Sequence, residues 1–141
     1  MKNYIYLIAP VIGWLAAQGI KFILTLRKDG ISWADALQSG GMPSSHTSFM
    51  VAISTVIGIN LGVGSVEFAI IIAITAIIIY DAVGVRKATG EQTTAIRELA
   101  KHDNKKLSTY ISNAKGHSLS EVVVGGLVGL LVGLLTNIVI G

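Results

Sequence analysis

The run VEFAIIIAITAIIIYDAV, residues 66–83, leaves this chain the least choice of fold. Glu67 stands at one end and Asp81 near the other, with no charge between them. A helix needs roughly 20 mostly apolar residues to cross the hydrocarbon core of a bilayer. Three further stretches, at about 4–26, 45–62 and 119–140, have the same character, and this one extends to about 85. Only 13% of the 141 residues are charged, where soluble domains carry roughly 25%. Hydrophobic residues make up 52%, and the mean hydropathy is +0.67. The expected fold class is all-α, a polytopic membrane bundle of four transmembrane helices in one domain over 1–141. The apolar N-terminal stretch runs on past Ala17 without a convincing cleavage site, so it reads as a retained span rather than a signal peptide.

Composition removes several function classes. There is no cysteine, hence no disulfide framework and no thiolate metal site. The net charge of +3 reports topology in such a chain better than it reports nucleic-acid binding. Seven of the eleven basic residues (Arg86, Lys87, Arg97, Lys101, Lys105, Lys106 and Lys115) fall in the polar segment 86–116. Lys and Arg accumulate on the cytoplasmic side, so this loop between helices three and four is expected in the cytoplasm, with both termini outside; Lys2 runs against that assignment. Within the loop, 93–107 has the pattern of a short surface helix, with Ala95, Ile96, Leu99 and Ala100 on one side. Gly62-Val63-Gly64-Ser65 reads as a tight helical hairpin between spans two and three.

This topology brings four polar sets to one membrane face: Lys21 at the end of the first span, Ser44, Ser45 and His46 at the start of the second, Asp81 and Arg86 at the end of the third, and His117 and Glu121 at the start of the fourth. Polar groups at the rim of an apolar bundle are costly and often mark a functional site. Each set also has a plainer reading. In GGMPSSH, Gly40 and Gly41 let a ligand approach the backbone, the serines can donate to phosphate oxygens, and the helix N-terminus favours an anion. Alternatively Ser44 simply caps the helix. His117 and Glu121, spaced i,i+4, share a helix face, where the carboxylate can orient the imidazole as a nucleophile. Alternatively Ser118-x-x-Glu121 is a capping box. Asp81 and Arg86 are either a structural ion pair or an oriented phosphate fork, and Lys21 either snorkels to the interface or faces the bundle. HxxxE offers two metal ligands, but no partner cluster completes a metal site. Gly125, Gly129 and Gly133, with Gly126 alongside, form a flat face for close helix contact, within one chain or between two.

Pro-Ser-Ser-His, followed about seventy residues later by His-x-x-x-acid, resembles the phosphatidic acid phosphatase type 2 superfamily of lipid phosphatases and vanadium haloperoxidases. GGMPSSH, YDAVGVRKATGEQ and GHSLSEVVVGG are similar more specifically to its small divergent bacterial branch. The resemblance implies that Lys21 binds phosphate with Ser44 and Ser45, that His46 is the acid, that His117 attacks phosphorus, and that Glu121 orients His117. Three positions depart from the family pattern. Lys28-Asp29 stands where Arg-Pro is usual, Tyr110-Ile111 where Ser-Arg is usual, and Glu121 where aspartate is usual. Both usual clamp arginines are therefore absent from their places, and Arg86 is the candidate substitute.

The expected activity is that of an integral membrane phosphatase of phosphorylated lipids or other phosphate monoesters, without metal or cofactor, in the bacterial cell membrane. The alternatives are a phosphate-headgroup binder or small lipid transporter that has lost hydrolysis, and a purely structural bundle that assembles through its glycines. A homodimer is expected because four helices make a thin wall around a polar pocket.

Overall fold

A computed structural model describes residues 4–26, 41–103 and 117–141, with residues 100–103 described by their backbone alone. The described residues are all helix and connection: α1 Ile5–Leu26, α2 Ser45–Asn60, α3 Val66–Val83, α4 Val85–Asp103 and α5 Leu119–Ile140. By length and composition three stretches suffice to cross a membrane: Ile5–Leu26, Val66–Leu99 (taken through Gly84) and Leu119–Ile140. The segment expected as a second span over 45–62 is a helix of 16 residues that stops at Asn60. At ~1.5 Å per residue it rises about 24 Å, short of the roughly 30 Å hydrocarbon core. Gly62 turns the chain there with φ +88°, and the Ser65 N–H closes the hairpin on the Gly62 carbonyl at 3.1 Å. Ser65 then caps α3.

α2 is the hub, packed against α5, α1 and α3, while α5 also touches α1 and α4 touches α3. The contact faces are small and hydroxylated. On α2 the buried residues include Ser45, Thr47, Ser48, Ala52 and Ser54, whereas Leu7, Ile77, Leu131 and Ile138 face outward. Lipid tails are as apolar as leucine, so membrane helices associate through close backbone approach and hydroxyl hydrogen bonds rather than through an oily centre. The glycine stripe shows this directly. A Cβ at Gly125 would collide with the Ser44 carbonyl, one at Gly129 with the Ser48 carbonyl, and one at Gly133 with Thr55 and the Ala52 carbonyl. Both series ascend in steps of four, so α2 and α5 run parallel with their N-termini at the same end. This answers the question left open by the sequence: the glycine face packs within the chain.

α1 runs antiparallel to α2. Its Gly13 lies against Ala52 and Ser48, and the Ser48 hydroxyl donates to the Gly13 carbonyl at 2.7 Å. α3 leans on α2 through the Phe68 ring over Gly58 and through the Ser54–Thr75 hydroxyl contact at 3.2 Å. At the end of the bundle away from those N-termini, the Asn60 amide donates to the Asn137 side-chain oxygen at 2.6 Å. α3 ends at Gly84, where a Cβ would lie 2.9 Å from the Tyr80 carbonyl. The surface helix expected over 93–107 begins earlier, at Val85, and is described as far as Asp103.

The packing separates two adjacent glycines. Gly129→Ala forces α5 off the α2 backbone and is expected to cost about 1–3 kcal/mol, the usual range for overpacking. Gly126→Ala meets only Thr47 and Val51 methyls at 3.9 Å, and gains helix propensity of about 1 kcal/mol. Thermal unfolding in detergent should therefore rank Gly129→Ala below and Gly126→Ala at or above the wild type. Equal melting temperatures would refute this register.

Candidate active site

Parallel docking of α2 and α5 puts two helix N-termini side by side, and the backbone ties them together. The Ser44 N–H donates to the Glu121 carbonyl at 2.9 Å. The His117 N–H donates to the Ala82 carbonyl at 3.2 Å, in the last turn of α3, where a helix leaves carbonyls without intrahelical partners. Because α1 runs the other way, its C-terminal half delivers Lys21 to the same end. Lys21 is only 8% exposed. Its Cε lies 3.3 Å from where a Cβ on Gly41 would stand, and Gly41 has φ +91°, a left-handed conformation natural to glycine. Gly41 thus leaves room for the lysine side chain and makes the turn that enters α2.

At the start of α2 the two serines do different things. The Met42–Pro43 peptide is cis, and Ser44 behind it is fully buried. The Ser44 Oγ accepts from the Thr47 hydroxyl at 3.0 Å and from the Thr47 N–H at 3.5 Å, so the helix-cap reading of Ser44 is realised. The Ser45 hydroxyl and the His46 ring have no hydrogen-bond partner among the described residues. His46 is exposed. The charges of Arg86, His117 and Lys21 all act on it, and that of Glu121 acts on Lys21. The residues picked out from four separate segments therefore share one electrostatic neighbourhood.

At the start of α5 the two competing readings of Glu121 turn out to be compatible. Its Oε2 lies 3.0 Å from His117 Nδ1, and the same atom accepts the Ser118 N–H at 3.0 Å. The Ser118 Oγ accepts the Glu121 N–H in return at 3.4 Å, which completes the capping box. An ionised carboxylate only accepts, so it holds the proton on Nδ1 and leaves the lone pair on Nε2. His117 itself is 7% exposed and is fixed at its backbone by Ala82.

Arg86 and Asp81 form an ion pair, the plainer of their two readings. Arg86 Nε donates to Asp81 Oδ2 at 2.6 Å, with both side chains substantially exposed. The bond engages Nε and leaves the two terminal amino groups of the guanidinium outside the pair. Among the described residues no three His, Cys, Asp or Glu side chains gather as a metal site would require. Gly40, Lys28, Asp29, Tyr110, Ile111, Lys105, Lys106, Lys115 and the side chain of Lys101 lie outside the described residues.

Comparison with known proteins shows the family. The model of the Divergent PAP2 family matches residues 1–132. The chain belongs to the divergent PAP2 family. This divergent PAP2 chain is 33% identical over 126 residues to the uncharacterized membrane protein YuiD of Bacillus subtilis (strain 168), covering 79% of this chain and 78% of that one. No solved structure matches it. Sequence reasoning on this divergent PAP2 chain missed the Ala82 carbonyl, which no side chain announces. It also missed Thr47, whose hydroxyl occupies Ser44.

The hydrogen-bond scheme fixes a tautomer that can be read directly. In ¹⁵N NMR of the neutral His117 ring, Nδ1 should be protonated and Nε2 bare. Glu121→Ala should abolish that preference, whereas Ser118→Ala should keep it while costing about 1 kcal/mol of helix-cap stability. An Nε2-protonated ring in the wild type would contradict the scheme.

Proposed function

We propose that this protein is an integral membrane phosphatase of phosphorylated lipids that works through a phosphohistidine on His117. The observation that carries the reading is the gathering of Lys21, His46, Arg86 and His117 at one end of the bundle, with His117 held by Glu121. In the first step the Nε2 lone pair of His117 attacks phosphorus, and the bond from phosphorus to the ester oxygen breaks. His46 gives its proton to the departing alkoxide. In the second step His46 takes a proton from water, the water oxygen attacks phosphorus, and the bond to Nε2 breaks to release inorganic phosphate. Lys21 and the terminal amino groups of Arg86 balance charge on the phosphoryl oxygens. The hydroxyl best placed to help them is that of Ser45, because Ser44 is engaged by Thr47.

In this reading the whole chain is one membrane domain in the bacterial cell membrane. α2 crosses together with its neighbours as the fourth span, and the site lies at the cytoplasmic face with both termini outside. The scheme draws its charge from side chains and calls for no metal or cofactor. A homodimer would thicken the wall around the site.

A second reading is favoured by a specific feature of the sequence. Lys28-Asp29 and Tyr110-Ile111 occupy the places of the usual clamp arginines. A pocket short of that charge suits a phosphate-headgroup binder or small lipid transporter without hydrolysis.

Purified protein in detergent with a chelator should release phosphate from a lipid phosphate and accumulate a radiolabelled, acid-labile phosphoenzyme. His117→Ala should abolish both. His46→Ala should slow turnover of an alkyl ester by roughly 10²–10⁴-fold, the usual worth of a general acid, and should slow a phenolic ester, whose leaving group needs no proton, far less. Turnover unchanged in His117→Ala would overturn the mechanism. Phosphate-dependent thermal stabilisation without any turnover would favour the binder.

A further inference from the structure

α1 and α3 flank α2 while scarcely touching one another. Between them lies an open cleft of about 420 Å³, lined by Trp14, His46, Phe49, Met50 and Ile78. That volume falls within the roughly 300–1,000 Å³ typical of ligand sites. Every wall is apolar except His46, which stands at one end. Phe49 and Met50 lie about a turn further along α2, Ile78 lies about a turn before Asp81 on α3, and Trp14 lies two turns before Lys21 on α1. At ~1.5 Å per residue the cleft therefore reaches about 10 Å inward from the level of Lys21. His46 belongs both to this cleft and to the polar cluster of Lys21, Arg86 and His117.

An apolar cleft in a membrane protein would ordinarily hold any lipid chain. This one begins at His46, on which the charges of Lys21 and Arg86 act, and that selects an occupant with an anionic head directly above its chain. Among the described residues it also offers a single seat. A second cleft among the described residues, about 440 Å³ between Gly58, Val63, Phe68, Ile72, Leu130 and Leu134, contains none of the cluster residues. It runs toward the hairpin end of α2 and cannot receive a second chain from a headgroup held at His46.

We propose that the cleft between α1 and α3 seats the chain of a single-chain phosphorylated amphiphile, an alkyl or prenyl phosphate, in preference to a diacyl phosphate. This rests on the phosphate reading of the cluster above. Trp14, Phe49, Met50 and Ile78 set the selectivity, and His46 marks the junction between chain and head.

The test uses Trp14 as its own reporter. The chain has two tryptophans, and Trp33→Phe leaves Trp14 alone. Full-length protein in detergent is titrated with a hexadecyl phosphate brominated on the chain, the matching brominated alcohol, a brominated dipalmitoyl phosphatidate and inorganic phosphate, with Trp14 fluorescence and melting temperature as readouts. The expected result is saturable quenching by hexadecyl phosphate, at least about tenfold weaker binding of the diacyl compound, and no saturable quenching by the alcohol. Ile78→Phe, which narrows the cleft, should weaken hexadecyl phosphate by about tenfold while the thermal shift given by inorganic phosphate stays. Equal binding of the single-chain and diacyl compounds, or phosphate binding without quenching of Trp14, would overturn this inference and leave the phosphate reading intact. No response to any phosphate compound, inorganic phosphate included, would overturn both.

Discussion

The contact on which everything else depends is the seating of three α5 glycines on the backbone of α2. Gly125, Gly129 and Gly133 each lack the one atom that would strike the carbonyls of Ser44, Ser48 and Ala52. Two helices that approach so closely at three successive turns have their relative rotation, register and direction settled together. Because they run parallel, the loop entering α2 and the loop entering α5 arrive at the same end. The bond from the Ser44 N–H to the Glu121 carbonyl is a consequence of that register. So is the presence of His46 and His117 at the same end of the bundle. A helix pair with ordinary side chains at these positions would sit further apart, and the two imidazoles would lose their common ground.

From this contact the remaining helices fall into place by local rules. Gly13 does for α1 what the stripe does for α5, and the antiparallel run of α1 carries Lys21 to the cluster. Gly58 admits the Phe68 ring and sets the near end of α3, while the Ser54–Thr75 pair holds its middle. The last turn of α3 then offers the Ala82 carbonyl to His117. The fold places small residues and hydroxyls inside and leucine and isoleucine outside, as expected where the solvent is itself apolar.

Much of this was legible in the sequence, for physical reasons that differ between elements. α5 was read correctly from Leu119 to Ile140, because its start carries an explicit cap and its body is uniformly apolar. The length of α2 was overread, since hydropathy continues through Leu61 while the backbone turns at Gly62. The start of α4 was missed because Gly90, Thr93 and Thr94 are weak helix formers, and the amphipathic pattern becomes clear only beyond them. The glycine stripe announced close packing but not its partner, for a stripe describes one surface and a contact needs two. At Glu121 the sequence offered a cap or an orienter, and a single oxygen turned out to serve both the Ser118 N–H and His117. A one-dimensional pattern could not reveal that one oxygen reaches both partners.

The position of Arg86 follows from the break at Gly84. A continuous α3 would carry residue 86 onward along one helix axis. The chain instead stops at a residue whose Cβ would press on the Tyr80 carbonyl, and restarts as α4 one residue later. Across that joint Asp81 and Arg86 are five apart, a spacing at which side chains on an unbroken helix diverge by well over a quarter turn, yet they meet at 2.6 Å. Asp81 takes Nε, so it orients the guanidinium without covering its terminal amino groups. The same last turn of α3 supplies the carbonyl that holds the His117 backbone. One interruption in one helix thus positions both the Arg86 guanidinium and the His117 backbone.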